Sequence, residues 1–172
     1  MKLYKVFRAD RRTLHDRPSW VLRRWQPVIK GELRACANGY HLCRFRDLPR
    51  WLAVEERVYE AEAQEVVEVE DKVVARRART TRYLGSLSHA NMVRWAADCA
   101  ARALHRFPLS DRPVARNAIA AARAWARHPC ERHRTAAATA ADAAANTVYA
   151  AAAADAAERE WQGRRLLYYL RD

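Results

Sequence analysis

The stretch CANGYHLC, residues 36–43, contains the side chains of this chain that are best suited to chemistry. It includes Cys36, Gly39, His41 and Cys43, and the two thiols and the imidazole are common metal ligands. Structural zinc sites use four ligands, usually in paired C-x-x-C or H-x3-H spacings, whereas the spacing here is C-x4-H-x-C. We therefore expect no metal, and we keep zinc on Cys36, His41 and Cys43 as an alternative.

The same stretch also offers a nucleophile. Cys43 lies two positions after His41, which places a base near the thiol, but no third group that would orient the imidazole is evident. Neighbouring positions on one strand rarely reach the geometry that such a pair needs. We therefore expect no catalytic residue in this motif.

A structural role for the motif is the main expectation. The Asn38-Gly39 dipeptide favours a turn with positive φ. The chain then enters a strand in which Tyr40, Leu42 or Cys43 is buried. On this interpretation His41 hydrogen-bonds a backbone carbonyl and locks the turn.

A second candidate site is the stretch RPSWVLRRWQP, residues 17–27, where arginine and tryptophan are interleaved. Arginine can contact phosphate or carboxylate groups, and tryptophan can stack. The stretch is also compatible with an amphipathic turn that buries Trp20 and Val21. The predicted binding face comprises Arg17, Trp20, Arg23, Arg24 and Trp25.

The charge of the chain is distributed in blocks. The net charge is +12. Residues 1–50 carry 13 basic and 4 acidic residues, residues 51–75 carry 2 and 8, and residues 76–82 carry 4 arginines and no acid. A basic N-terminal region can attract nucleic acid or an acidic protein, although solvated arginines on a surface explain the composition equally well.

The sequence gives no sign of a membrane protein or of a disulfide-stabilised one. No uncharged apolar stretch reaches the roughly 18 residues of a membrane span, and the N-terminus has no signal-peptide pattern. Four cysteines are few for a disulfide scaffold. We expect a cytoplasmic protein with reduced thiols and no membrane association.

The N-terminal half has the periodicity of strands. KLYKVF, RVYEAEA, EVVEVE and KVVARRARTTRYL alternate apolar with polar residues, and DLPRWLAVEE predicts a short helix that starts at Asp47 and Pro49. Adjacent acidic and arginine-bearing strands are expected to pair their charges. Residues 1–85 are therefore predicted to form a small, β-rich α+β domain.

The C-terminal half is predicted to be helical. One helix starts at the N-cap Ser88 and carries an Asp98–Arg102 ion pair, and a second runs from Asp111 to about Arg127 with Val114, Ala118, Ala122 and Trp125 inside. Residues 131–161 are rich in alanine and contain no glycine or proline, and Gly163 is expected to end a helix. Residues 86–172 are thus predicted to form an Ala-rich antiparallel helical bundle.

The helical half resembles a known family. The segments WAADCAARALHRFPLSDRPVARNAIAAARAWARH and AAATAADAAANTVYAAAAADAAE, within about residues 88–160, are similar to the helical immunity proteins encoded beside polymorphic toxins in bacterial genomes. The resemblance implies an all-α, non-enzymatic module that binds a protein partner. It supplies no catalytic residues.

The N-terminal half resembles a different family. Y-K-V-F, C-A-N-G-Y-H-L-C, R-V-Y-E-A-E-A and K-V-V-A-R-R, within about residues 3–82, are similar to a small domain of unknown function that is common in phages and prophages. That domain carries a C-x-x-G-[FY]-H-x-C motif. The resemblance implies a phage or mobile-element origin.

Three functional hypotheses follow. The first is a non-catalytic module that docks on a partner protein. The second is an enzyme centred on Cys36, His41 and Cys43, either metal-dependent or NAD-binding, because the element order is similar to small ADP-ribosyltransferases; Lys5, however, follows Tyr4 where a His or Arg is expected. The third is nucleic-acid binding through the first 50 residues and Arg76 to Arg82.

Overall fold

The computed structural model describes residues 1–8, 20–106, 108–129 and 156–170. In these ranges the protein is α+β, with one four-stranded antiparallel sheet and four α-helices. The fold class predicted from the sequence is confirmed at this level. The chain divides into two compact units, Met1–Leu87 with Gly163–Asp172, and Ser88–Gln162. The two domains that the sequence predicts, residues 1–85 and 86–172, stay a prediction.

Within the described residues, the elements follow one another in the order β-β-α-β-β-α-α-α. The strands are β1 Leu3–Phe7, β2 Tyr40–Leu42, β3 Arg57–Val69 and β4 Lys72–Ser86. The helices are α1 Leu48–Trp51, α2 His89–Ala103, α3 Arg112–Arg127 and α4 Ala156–Tyr169. Short 3-10 helices, Phe45–Asp47 and Leu104–Arg106, precede α1 and follow α2.

The sheet of the first unit closes on itself. Its strand order is β1-β3-β4-β2, and every pairing is antiparallel. Tyr4 and Cys43 then form an additional antiparallel bridge, in which each backbone N–H donates to the other residue's carbonyl at 2.8 Å. Cys43 thus connects the end of β2 to β1, and the two outer strands of the sheet are joined.

Strands β3 and β4 form a long hairpin with charges paired across it. Strand β3 is continuous over the two segments that the sequence suggested, RVYEAEA and EVVEVE. The predicted pairing of acidic and arginine-bearing strands is confirmed by three ion pairs: Glu60–Arg82 at 2.7 Å, Glu62–Arg79 at 2.6 Å and Glu65–Arg76 at 2.7 Å. Each such pair contributes ~0.2–1 kcal/mol to the stability of the hairpin.

A cluster of buried side chains forms one core of the sheet. Its members are Leu3, Tyr40, Leu42, Ala61, Val73, Ala75 and Ala78. The prediction that Tyr40, Leu42 or Cys43 is buried is confirmed, because all three are less than 9% exposed. Trp20 and Ile29 pack against this cluster from the segment that follows residue 19.

The short helix α1 forms where DLPRWL predicts it, but its start differs. Pro49 lies in the first turn as expected, whereas the Asp47 side chain makes no capping hydrogen bond. Asp47 is buried and bonds to Arg44 instead. Leu52 is buried, whereas Val54 is exposed.

Helices α2 and α3 of the second unit are antiparallel neighbours. The predicted N-cap is confirmed, since the Ser88 hydroxyl accepts the backbone N–H of Asn91 at 3.1 Å. The predicted Asp98–Arg102 pair is wrong: Asp98 bonds to Arg123 on α3 at 2.8 Å, and Arg102 bonds to Glu158 at 2.7 Å. Asp98 and Arg102 thus each pair with a residue of another helix, and not with each other along α2.

Two further details of the helical prediction are wrong. Val114 is 72% exposed and does not belong to the inner face of α3. Gly163 lies inside α4 and does not end a helix. A Cβ on Gly163 would lie 2.2 Å from the carbonyl oxygen of Phe45, so this glycine allows the helix to approach that backbone closely. Most of the alanine-rich segment, residues 130–155, lies outside the described residues.

Candidate functional site

The CANGYHLC motif forms a tight turn that leads into β2. Arg34 and Asn38 exchange backbone hydrogen bonds at 2.8 and 2.9 Å around the turn. Gly39 has a φ of +137°, and a Cβ at this position would lie 2.3 Å from Cγ1 of Val74. The glycine of the motif is therefore required both by the backbone conformation and by the close approach of β4.

His41 holds the turn, but not in the way that the sequence suggested. Its Nε2 accepts the backbone N–H of Cys36 at 2.9 Å, whereas a bond to a backbone carbonyl was predicted. An accepting Nε2 carries no proton, so the imidazole is neutral with its proton on Nδ1. The backbone carbonyl of His41 accepts Nζ of Lys5 at 3.0 Å.

Cys43 is unsuited to nucleophilic catalysis. It is 8% exposed, and its backbone forms the bridge to Tyr4 that closes the sheet. Burial raises the pKa of the Cys43 thiol from 9.0 to about 12, so the sulfur stays protonated near neutral pH. Only the thiolate is a strong nucleophile and a good metal ligand. The chemistry of this sulfur is therefore suppressed by its place in the fold.

The three candidate ligands of the motif do not form a metal site. Within the part of the chain that the structure describes, no three His, Cys, Asp or Glu side chains are grouped so that they could hold a metal ion. Cys36 is exposed, and its Sγ lies 3.2 Å from Nζ of Lys72 at the start of β4. Cys43, in contrast, is buried.

The described part of the arginine–tryptophan stretch, residues 20–27, lies along the edge of the sheet. Backbone N–H groups of residues 23–29, which we call the edge segment, donate to β4 carbonyls at three points: Arg23 to Thr80 at 2.6 Å, Gln26 to Ala78 at 2.9 Å and Ile29 to Arg76 at 2.9 Å. The donors recur every three residues and the acceptors every two, and the segment contains no regular strand. Nothing in its hydrophobic pattern predicted that it would cover the edge of β4.

Residues Val21–Arg24 form a strained turn that projects from this edge. The N–H of Arg24 donates to the carbonyl of Val21 at 3.1 Å, and Arg23 has a φ of +63°, a conformation that favours glycine. Val21 and Leu22 are 52% and 47% exposed. Arg23 and Arg24 are exposed as well, and neither forms an ion pair with any described residue. We call Val21, Leu22, Arg23 and Arg24 the edge turn.

The other residues of the predicted binding face have different environments. Trp20 packs edge-on against Phe7 and Tyr40, with ring centres 5.6 and 5.5 Å apart, so it belongs largely to the core. The guanidinium groups of Arg77 and Arg79 lie 5.2 and 4.7 Å from the ring centre of Trp25. Arg17 lies outside the described residues.

A buried charge network near the hairpin tip was not found by the sequence analysis. The guanidinium of Arg44 donates to Asp47, to Glu68 at 2.9 Å, and to the backbone carbonyls of Val69 and Glu70 at 3.0 and 2.8 Å. Burial lowers the pKa of Arg44, but the hydrogen bonds and charges of Asp47 and Glu68 outweigh this effect and raise it overall. Arg44 thus clamps the hairpin tip to the start of α1.

A polar hollow of about 410 Å³ lies among the described residues of the second unit. Arg102, His105, Arg106 and Glu158 line it. Its carboxylate is already bonded to Arg102 at 2.7 Å, and the Glu158 side chain is only 7% exposed. The ion pair explains the polar character of the hollow without a ligand.

The comparisons with known proteins give no assignment. No protein-family model, no curated protein and no solved structure matches this chain. Among the described helices, none is long and apolar enough to cross a membrane.

Proposed function

We propose that this protein is a non-catalytic binding module that docks on a partner protein through the edge turn. The turn combines two exposed aliphatic side chains with two arginines that have no ion-pair partner among the described residues. Apolar contacts with arginine at their border are typical of protein interfaces. The CANGYHLC motif acts as the turn and sheet closure that support the fold.

The observation that carries the proposal is the conformation of Arg23. A non-glycine residue with a φ of +63° costs of order 1 kcal/mol, and such strain persists where the surrounding structure enforces it, often at binding sites. The backbone bonds from Arg23 to Thr80 and from Arg24 to Val21 fix this conformation. Glycine would relieve the strain but would lose the guanidinium.

The chemistry of the edge turn favours an acidic partner surface with an apolar centre. On the hairpin, Arg76, Arg79 and Arg82 are each neutralised by a glutamate of β3. Arg23 and Arg24 have no such acid among the described residues. Carboxylates of a partner would therefore form ion pairs with these two guanidinium groups. Val21 and Leu22 would be buried in the same contact.

The resemblance of the helical half supports a binding role, whereas that of the N-terminal half bears only on the origin of the chain. The helical half is similar to toxin-associated immunity proteins, and the N-terminal half is similar to a phage domain. On this basis we propose a phage, mobile-element or toxin-immunity context, with residues 86–172 as a second docking region. The cytoplasm is the compartment that we propose for this activity.

Site-specific photocrosslinking tests the edge turn directly. A benzophenone amino acid replaces Leu22 in the tagged chain, and Val54, an exposed position on another part of the first unit, is the matched control. In lysate of the source organism, we expect one nuclease-resistant protein adduct from position 22 and none from position 54. Equal adducts from both positions, or none from position 22, would contradict the assignment of the edge turn.

Nucleic-acid binding is a second candidate function. It is favoured by Arg23 and Arg24, which are exposed and have no ion-pair partner among the described residues. It is weakened by Trp25, because Arg77 and Arg79 already contact its ring. This candidate predicts retention of a single-stranded oligonucleotide that falls steeply with salt. Retention that is unaffected by Arg23→Glu with Arg24→Glu would remove it.

A further inference from the structure

The thiol of Cys36 and the amine of Lys72 are held against each other although they are 36 positions apart in the chain. Nζ lies 3.2 Å from Sγ. The Lys72 side chain is only 13% exposed, and its Nζ also lies 4.4 Å from the ring centre of Trp51 and 3.9 Å from Oδ1 of Asp71. Packing therefore holds the Lys72 amine next to the Cys36 sulfur. A lysine with a fully solvated side chain would make such a contact only transiently.

The cysteine side of this contact is restrained as well. The bond from its backbone N–H to Nε2 of His41 fixes Cys36, whose φ is +60°. Cys36 is exposed, whereas Cys43 and Cys99 are buried. Among these three thiols, a small oxidant in solution meets Cys36 first.

We propose that Cys36 and Lys72 form an oxidation-sensitive crosslinking site whose co-reactant is hydrogen peroxide. Peroxide oxidises the thiol to a sulfenic acid and is reduced to water. The Lys72 ammonium releases a proton to solvent, and its amine attacks the sulfur. The S–N bond forms as the S–O bond breaks, and the hydroxyl leaves with an amine proton as water. The product is a sulfenamide between the two side chains.

The crosslink would tie the CANGYHLC turn to the first residue of β4. It joins two side chains that are already at hydrogen-bonding distance, so little movement of the backbone is needed. A covalent link of this kind restricts the unfolded chain and raises the melting temperature. A thiol reductant would reverse it.

The experiment uses the full chain with Cys130→Ser, which removes the cysteine whose position the structure does not describe. After dilute peroxide, we expect a protein that is two hydrogen atoms lighter and a tryptic species that joins residues 35–44 to residues 58–76. Fragment ions should place the bond between Cys36 and Lys72. Treatment with dithiothreitol should restore the original mass.

Two matched variants make the result decisive. Lys72→Arg keeps the positive charge but removes the nucleophilic amine, so dimedone should trap its Cys36 sulfenic acid several-fold more than in the parent chain. Cys36→Ser should give neither species. The proposal is overturned if the parent chain yields no joined peptide, or if dimedone labels Cys36 equally in the parent chain and in Lys72→Arg.

Discussion

Nε2 of His41 accepts the backbone N–H of Cys36 at 2.9 Å, across the turn that opens the CANGYHLC motif. This bond uses the one imidazole nitrogen that could otherwise act as a base towards a neighbouring thiol. It also gives an acceptor to the backbone N–H of Cys36, a residue with positive φ that takes no part in the hydrogen bonds of the sheet. The histidine of the motif therefore has a structural role in the turn.

Replacement of His41 by phenylalanine should loosen the turn without unfolding the protein. The Cys36 N–H loses its acceptor, and the free energy of unfolding should fall by about 0.5–1.5 kcal/mol. Amide hydrogen exchange of Cys36 should become faster. His128→Phe, at an exposed position outside the motif, is the control. Unchanged exchange at Cys36 would show that the hydrogen bond does not hold the turn.

The buried thiol of Cys43 should make stability depend on alkaline pH. Because burial raises its pKa from 9.0 to about 12, the unfolded chain releases this proton first as the pH rises. The stability that the buried, protonated Cys43 thiol contributes to the folded state is fully present below pH 9 and is lost as the pH approaches 12. Near pH 10.5 the loss should be about 2 kcal/mol relative to pH 8.

The measurement for Cys43 is urea unfolding at both pH values, for the parent chain and for Cys43→Ala. Other groups also titrate in this range, so the difference between the two chains is the informative quantity. The variant should lose less stability between the two pH values than the parent chain. Parallel losses would mean that the thiol is not buried as the structure indicates.

Arg44 should be among the most sensitive positions in the first unit. Arg44→Met leaves the Asp47 carboxylate buried without its partner and removes the clamp on the hairpin tip. Breaking such a buried pair costs about 3–5 kcal/mol. Arg46→Met, at an exposed neighbouring position, should change the stability by less than about 0.5 kcal/mol. Equal effects of the two substitutions in urea unfolding would disprove the clamp.

The strain at Arg23 predicts a conflict between stability and binding. Arg23→Gly relieves the positive φ and should raise the free energy of unfolding by up to about 1 kcal/mol, while partner binding falls. Glu55 also has a positive φ, of +66°, outside the edge turn. Glu55→Gly should give a similar gain in stability with unchanged binding. If Arg23→Gly kept full partner binding, neither the strained conformation of Arg23 nor its guanidinium would be needed for binding.

Local patterns in the sequence predicted the elements of the fold well. The alternation of apolar and charged residues predicted β3, β4 and their charge pairing, and Ser88 and Asp111 marked the starts of α2 and α3. These features depend on residues close in the chain or on simple periodicity. The turn at Gly39 was predicted for the same reason.

Long-range contacts account for what the sequence did not predict. The edge segment binds β4 through backbone groups, so its side chains carry no periodic signal for that pairing. Arg44 reaches carbonyls more than twenty positions away, and Gly163 is a glycine because of Phe45, far from it in the chain. Spacing along the sequence cannot reveal partners that the fold brings together.

The most direct test of the account is quantitative affinity capture from source lysate, with nuclease treatment, by the parent chain and by Arg23→Glu with Arg24→Glu. The matched control is Arg46→Glu with Arg50→Glu, which makes the same charge change at exposed positions of the first unit. We predict one stoichiometric protein that survives nuclease, that is retained by the control and that is lost at least tenfold with the edge-turn variant. Capture that is equal for all three chains, or that disappears with nuclease, would contradict a protein-binding role for the edge turn.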